Sequence, residues 1–556
     1  MKVLLSLFFV VCFSATFISA QEQAASSSSF NRELLDLTCR EICQQIRTGD
    51  LTSTEVVETL HQQYLKQHSQ INALVINLFD EALETAKAYD IRAKQNDFVG
   101  PLHGLPISIK ENIDIKGIAG NLGINDPRIQ PATSDADIVK ILKSLGAIII
   151  GKTNVPQALI PMDCNSEYGQ TYNPWNRDFV TGGSSGGEAA LIASGQSFAG
   201  MGTDLGGSIR FPAGFCGVAG FKPTNGSLPH YGVQTAVKGQ NIVSSSIGPL
   251  ARHVDDIIFL LEHIYTEISE QEYLAKGATS IVDVSIPPYD FKTHSTTTDV
   301  SKMRIGYYKY DGFIKPAPAL VKAVEESIEI LKEQGAELIE IPCPNQKELI
   351  KSYVGAVSAD GQKMLMDKFK YQKKPVQQLK GVFQLAKLSN FGIRLIASIL
   401  KTSNQERFSE FLLAVRKKSV HDYWLISHKV KQFRMEEMNL WEEQKLDAVI
   451  CPATALTSVK RGIETDISLI FSYYGRYNMF GFPAGVVPMR FVQDDELKYT
   501  DDVNDKLTER MAQSTKESLG MPTAVQVVAL PWQDHKALAV MKSLEENRKA
   551  VFEYPY

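Results

Sequence analysis

Three short segments gather the residue types that hydroxyl-based acyl chemistry needs. They are Pro106-Ile-Ser-Ile-Lys110-Glu-Asn-Ile-Asp114, Thr181-Gly-Gly-Ser184-Ser185-Gly-Gly187 and Gly202-Thr-Asp204-Leu-Gly-Gly207-Ser208-Ile-Arg210-Phe-Pro212. A serine hydroxyl is a poor nucleophile until a neighbouring base accepts its proton. A lysine amine is such a base only when neutral, and bringing its ordinary pKa of about 10.4 near 7 takes about 4–5 kcal/mol from the surroundings. Burial at the end of an apolar strand supplies a shift of that kind, and Lys110 follows the apolar run Leu105–Ile109. Consecutive N–H groups in a glycine-rich turn are suited to an oxyanion, which needs donors within about 2.7–3.1 Å. Singly, each segment has a plainer reading: a lysine after a strand is a solvated charge, and a Gly/Ser run is a turn or a helix N-terminus.

The elements around these segments alternate. Residues 31–66 predict two helices, the first with Leu34, Leu35, Leu37, Ile42 and Ile46 on one stripe. Before the second, Thr52 to Glu55 spells a capping box. Short apolar runs follow at Leu105–Ile109, Ala147–Ile150, Arg304–Tyr308, Glu337–Ile341, Ala448–Cys451, Gly485–Pro488 and Ala524–Ala529, with helical patterns at Asp135–Leu145, Val254–His263 and Pro318–Gln334. That alternation predicts a large α/β layered fold. No repeat and no linker is visible after residue 30, so residues 31–556 read as one domain. Two literal motifs are rejected. Gly146 to Thr153 spells GxxxxGK[ST], but Ala147, Ile148, Ile149 and Ile150 are strand-like rather than a phosphate-cradling loop. Gly182 to Gly186 spells GxSxG, but an irregular loop precedes it where a nucleophile elbow needs a strand.

Taken together and in this order, the three segments resemble the amidase signature family. Further matches are Asn154-Val-Pro-Gln157, Phe221-Lys222-Pro223-Thr224, Gly248-Pro249-Leu250-Ala251-Arg252, Phe482-Pro483-Ala484-Gly485-Val486 and Gly520-Met521-Pro522-Thr523, so the resemblance spans roughly residues 31 to 550. It implies a three-layer α/β/α fold with a mixed central sheet. It also implies a triad with Ser208 as nucleophile, Ser184 as bridging serine and Lys110 as base, and a cis peptide at Ser184. The oxyanion hole maps to Leu205, Gly206, Gly207 and Ser208, with Ser185, Asp204 and Arg210 in support. No metal site and no cofactor is implied.

Composition bounds the setting. The 556 residues are 44% hydrophobic and 22% charged, with 58 Lys plus Arg against 63 Asp plus Glu, a net of −5. This is an ordinary globular balance, and it gives no global field for nucleic acid. At the N-terminus Lys2, the apolar stretch Val3–Ala20 and the polar run Gln21–Ser29 describe a secretory signal peptide over residues 1–20, followed by a polar linker at 21–30. The alternative is an uncleaved anchor. Either places the chain in the secretory pathway, membrane-associated or secreted. Outside the leader, Cys39, Cys43, Cys164, Cys216, Cys343 and Cys451 are too sparse for a disulfide scaffold.

Within the family the resemblance runs to fatty-acid amide hydrolases, through Gly169-Gln170-Thr171-Tyr172-Asn173-Pro174-Trp175, Ser184 to Glu188, Ser208 to Pro212 and Phe215-Cys216-Gly217. It implies a lipid amide substrate, such as an N-acylethanolamine or a primary fatty amide. The alternatives are a broad short-chain or peptide amidase and a non-catalytic lipid-binding relative. Residues 380–418 carry Lys380, Lys387, Arg394, Lys401, Arg407, Arg416, Lys417 and Lys418 against only Glu406 and Glu410, interleaved with apolar residues such as Phe391, Ile396 and Phe411. The seven-residue recurrence from Lys380 to Lys401 predicts one helix with these charges near one face. A basic amphipathic pair of this kind suits an anionic membrane surface, and 380–418 is the candidate membrane cap. A homodimer is left open.

Overall fold

The computed structural model describes residues 32–269, 289–372 and 375–556; the leader at 1–20 and the linker at 21–30 lie outside the described residues. Thirteen strands are present among these: β1 (Leu74–Asn77), β2 (Pro106–Lys110), β3 (Ile148–Thr153), β4 (Asn165–Ser166), β5 (Gly169–Gln170), β6 (Ala199–Asp204), β7 (Ala219–Lys222), β8 (Ser246–Ala251), β9 (Arg304–Tyr307), β10 (Glu337–Glu340), β11 (Ala448–Pro452), β12 (Ala484–Phe491) and β13 (Pro522–Val528). Apart from the β4–β5 pair, they form a single sheet in the order β1-β3-β2-β6-β8-β7-β12-β13-β11-β9-β10. The sheet is mixed: β2 runs parallel to β3 and β6, while β8 runs antiparallel to its two neighbours β6 and β7.

Helices Gly186–Ala193 and Arg210–Cys216 pack on one another and on the sheet, and Asp534–Asn547 packs against both Val254–Ser269 and Pro318–Glu333 to form a second group against it. This is the α/β/α layering expected. The capping box at Thr52 and Glu55 is formed, starting the helix Ser53–Ile71. The rejected GxxxxGK segment runs into the fully buried β3, with Gly151 inside the strand, so it forms no phosphate loop.

Side chains alternate across a strand, and this places the chemistry. On β2 the apolar Ile107 and Ile109 take one face, while Ser108 and Lys110 share the other with Glu188 and Ser184. On β6, Gly200 and Gly202 let helix Gly186–Ala193 approach: a Cβ at Gly200 would overlap the Glu188 carboxylate, and one at Gly202 would lie 2.8 Å from Ser185 Oγ.

The basic segment departs from expectation. It is not one helix carrying the charges from Lys380 to Lys401 but three, Lys380–Ala386, Asn390–Thr402 and Glu406–Ala414. Ser389 breaks the first run and caps the second, its hydroxyl accepting from the Gly392 N–H at 3.2 Å. Phe391, Leu395 and Ile399 are exposed, at 77%, 55% and 56%, and Phe411 instead packs against the main core. The apolar surface continues past residue 418 to Val420, Trp424 and Leu425 on helix Val420–Glu443. No helix among the described residues is long and apolar enough to cross a membrane.

Candidate active site

Lys110 ends β2 with its side chain fully buried. Its Nζ lies 2.7 Å from Ser184 Oγ, 2.8 Å from Thr203 Oγ1 and 3.0 Å from the Thr203 carbonyl. Burial pulls its pKa down to about 7, against the opposing pull of Asp204, Cys164, Glu188 and Glu111. Two other buried lysines show that such a shift alone does not make a site. Burial also lowers Lys222 to about 7, but its amine donates to the Pro223 carbonyl and to Asn225 Oδ1. Lys152 is lowered too, and its amine has no hydrogen-bond partner among the described residues. Of the three, only Lys110 meets a serine hydroxyl.

Ser184 lies in the loop before helix Gly186–Ala193, and the Gly183–Ser184 peptide is cis, as the resemblance implied. Ser208 lies in the turn that joins β6 to helix Arg210–Cys216. The two loops are tied together by the Ser185 N–H, which donates to the Ser208 carbonyl at 3.0 Å. Ser184 is buried, whereas Ser208 is partly exposed, so of the three groups it is the one a substrate reaches. Among the described residues the Ser208 hydroxyl makes no hydrogen bond, so the Ser184–Ser208 step is open in this structure. Hydrogen bonds of this kind are often long without substrate and tighten in the complex.

The turn itself is held from below. Both Asp204 oxygens face Arg210, with Oδ2 3.0 Å from Nε and Oδ1 3.0 Å from Nη2. Arg210 also donates to Gln526 Oε1 and Asn478 Oδ1, each at 2.6 Å, and Asn478 Nδ2 returns to Asp204 Oδ1 at 2.9 Å. Burial alone would raise the Asp204 pKa, but the Arg210 charge and its hydrogen bonds hold it well below the usual carboxylate range. Asp204 then accepts the Gly207 N–H at 2.7 Å and the Ile209 N–H at 3.1 Å. This engages one of the four expected oxyanion donors from within the turn. The Gly207 N–H is engaged by Asp204, and only those of Leu205, Gly206 and Ser208 have no hydrogen bond among the described residues. Gly207 shapes the turn instead, with φ at +103° and a Cβ position 2.6 Å from the Tyr474 ring.

Ser185, Asp204 and Arg210 therefore all touch the site, the Ser185 hydroxyl reaching the Thr203 carbonyl at 3.4 Å. Sequence reasoning missed Asn478, Gln526 and Tyr353, whose hydroxyl donates to the Leu205 carbonyl at 3.2 Å. It also gave no role to Thr203 or Glu188, although both lie in quoted segments. Glu188 is buried under Lys110 between the Ser108 and Thr153 hydroxyls, and burial raises its carboxyl to about 7.

The Amidase family model matches residues 55–538 of this chain. Fatty-acid amide hydrolase 1 of Sus scrofa is 33% identical over 525 residues, 92% of this chain and 86% of that protein. Fatty acid amide hydrolase 1 of Caenorhabditis elegans is 30% identical over 515 residues, 92% of this chain and 88% of that one. A solved fatty acid amide hydrolase has the same fold, with a TM-score of 0.77 at 24% identity over 94% of this chain and 86% of its own.

Proposed function

Since the chain belongs to the amidase family and is an amide hydrolase, we propose that it cleaves fatty-acid amides to fatty acid and amine through Ser208, Ser184 and Lys110. The observation that carries the mechanism is the contact of a buried lysine, near neutrality at pH 7, with the Ser184 hydroxyl at 2.7 Å. Neutral Lys110 takes the Ser184 proton as Ser184 takes that of Ser208. Ser208 Oγ then bonds to the carbonyl carbon, and the carbonyl electron pair moves onto oxygen. The N–H groups of Leu205, Gly206 and Ser208 are the donors for that oxyanion. As the intermediate collapses, Ser184 passes its proton to the leaving nitrogen while the Lys110 ammonium returns one to Ser184, and the C–N bond breaks. A basic amine departs poorly without that proton. Water then hydrolyses the Ser208 ester by the same proton path.

Support for a fatty substrate comes from the two similar fatty-acid amide hydrolases and from the exposed apolar face of Phe391, Leu395 and Ile399. That face, with Trp424 and Leu425, is where the chain would rest on a membrane.

The test pairs a label with a substrate panel. A serine-directed fluorophosphonate should label the wild type and not Ser208→Ala. Amides of fixed amine and rising acyl length should show kcat/KM increasing about tenfold or more from short to long chains, since each buried CH2 contributes about 0.8 kcal/mol. Equal labelling of Ser208→Ala removes the nucleophile assignment, and a preference for short chains removes the substrate.

A further inference from the structure

We propose that Thr203 is a positioning residue for amide hydrolysis: its carbonyl and hydroxyl hold both N–H groups of the neutral Lys110 amine, so that the amine's lone pair faces the Ser184 hydroxyl. This rests on the reading of Lys110 as the base.

A neutral lysine has two N–H donors and one lone pair, where the ammonium has three donors. Three partners surround Nζ: the Thr203 carbonyl at 3.0 Å, Thr203 Oγ1 at 2.8 Å and Ser184 Oγ at 2.7 Å. The carbonyl only accepts. The Thr203 hydroxyl directs its own proton to Asn112 Oδ1 at 3.3 Å, so toward Lys110 it accepts as well. Asn112 is oriented for this, because its Nδ2 donates to the Gln234 carbonyl at 2.9 Å and so leaves Oδ1 for Thr203. Gln234 is fixed in turn: its N–H donates to the Asn112 carbonyl at 2.7 Å and its Nε2 to Asp114 Oδ2 at 2.8 Å. Two acceptors therefore take both amine hydrogens, and in the neutral state the third contact is Ser184 O–H donating to nitrogen. That is the direction proton abstraction requires.

Lys222 shows the contrast. It too places its amine on two acceptors, the Pro223 carbonyl and Asn225 Oδ1, but no serine hydroxyl meets it there.

Without the Thr203 hydroxyl one N–H loses its acceptor, the amine turns about its Cε–Nζ bond, and the lone pair is aimed at Ser184 only part of the time. The cation loses an acceptor as well, so its proton is released at lower pH.

The test is the pH dependence of kcat and KM for full-length wild type, Thr203→Val, Thr203→Ser and Lys110→Ala on one soluble amide. Thr203→Val should lower kcat by about 10- to 100-fold, the range of a general-base contribution, with KM within about twofold and the acid limb moved to lower pH. Thr203→Ser should restore kcat to within about threefold and return the limb. Should the valine variant not fold, Thr203→Ala carries the same expectation. An unmoved limb with unchanged kcat, or a serine variant as impaired as valine, overturns the assignment. Lys110→Ala separates the two failures. If it keeps turnover, the base reading falls and this inference with it; if it abolishes turnover while Thr203→Val behaves as wild type, only Thr203 is wrong.

Discussion

Lys110 sits where the fold works against its charge, and that opposition has a measurable sign. Its folded pKa is about 7, while an unfolded lysine titrates near 10.4. Between those values the unfolded chain binds a proton that the folded chain lacks, so stability from this group rises with pH across that window and is lowest below 7. Replacing the amine by an apolar chain of similar length should remove the penalty. At pH 7, Lys110→Met should unfold in urea with about 1–3 kcal/mol more stability, since about 4–5 kcal/mol of desolvation is offset by orphaning acceptors on Thr203 and Ser184. The gain should shrink as pH is raised toward 10. A gain independent of pH would show that Lys110 is charged in the folded chain. At this scale the sequence was informative where chemistry is local: Ser184, Ser208, Asp204 and Arg210 lie in short glycine-rich runs, and Lys110 ends an apolar one. It was silent on Asn478, which meets Arg210 across 268 residues, because a single asparagine on a helix has no pattern that marks its partner.

The turn from Leu205 to Ile209 is an element whose shape rests on one buried ion pair. Breaking such a pair by removing one partner leaves a buried charge and costs about 3–5 kcal/mol, whereas removing both charges costs less. Arg210→Met should therefore lose about that much stability in urea, and Asp204→Asn with Arg210→Met should recover about half. If the double variant is no more stable than the single one, the Asp204 charge is not what Arg210 balances. Turnover should stay low in the double variant, because the Gly207 and Ile209 N–H groups depend on the Asp204 carboxylate for their direction. Legibility differed among elements for a physical reason. The seven apolar runs read as strands are β2, β3 and β9 to β13, most of them rich in Ile, Val or Leu. The unread β6 and β8, Ala-Gly-Met-Gly-Thr-Asp and Ser-Ile-Gly-Pro-Leu-Ala, are buried strands whose glycines serve close approach and not β-propensity. In the basic segment, the heptad spacing of charges suggested one helix because spacing carries no information about a serine that restarts the backbone.

For the whole molecule, a mixed sheet lets distant segments meet at one place: β2 and β6 lie side by side and bring residues 110 and 203 into contact, while β13 brings Gln526 beneath the same turn. The surface is divided in a comparable way. A chain of net charge −5 carries eight basic residues against two acidic ones between 380 and 418, beside exposed Phe391, Leu395 and Ile399. Asn390 Nδ2, at 3.5 Å from the Lys417 carbonyl, joins this helix to the segment leading to Trp424. Half-burying three large apolar side chains in a bilayer yields about 3–4 kcal/mol, and each nearby cation adds about 1 kcal/mol on an anionic surface. Phe411 packs against the core and is a poor probe of this face. The triple replacement of Phe391, Leu395 and Ile399 by Glu should therefore weaken binding to vesicles containing phosphatidylserine by at least about 100-fold in a sedimentation assay, since the apolar term alone exceeds 2.7 kcal/mol. Turnover of a soluble short amide should be unchanged, because none of the three touches Lys110, Ser184 or Ser208. Raising salt should weaken wild-type binding in part, leaving the apolar share. Vesicle binding equal to that of wild type would free this face of any membrane role, while the hydrolytic reading of Ser208 would stand untouched.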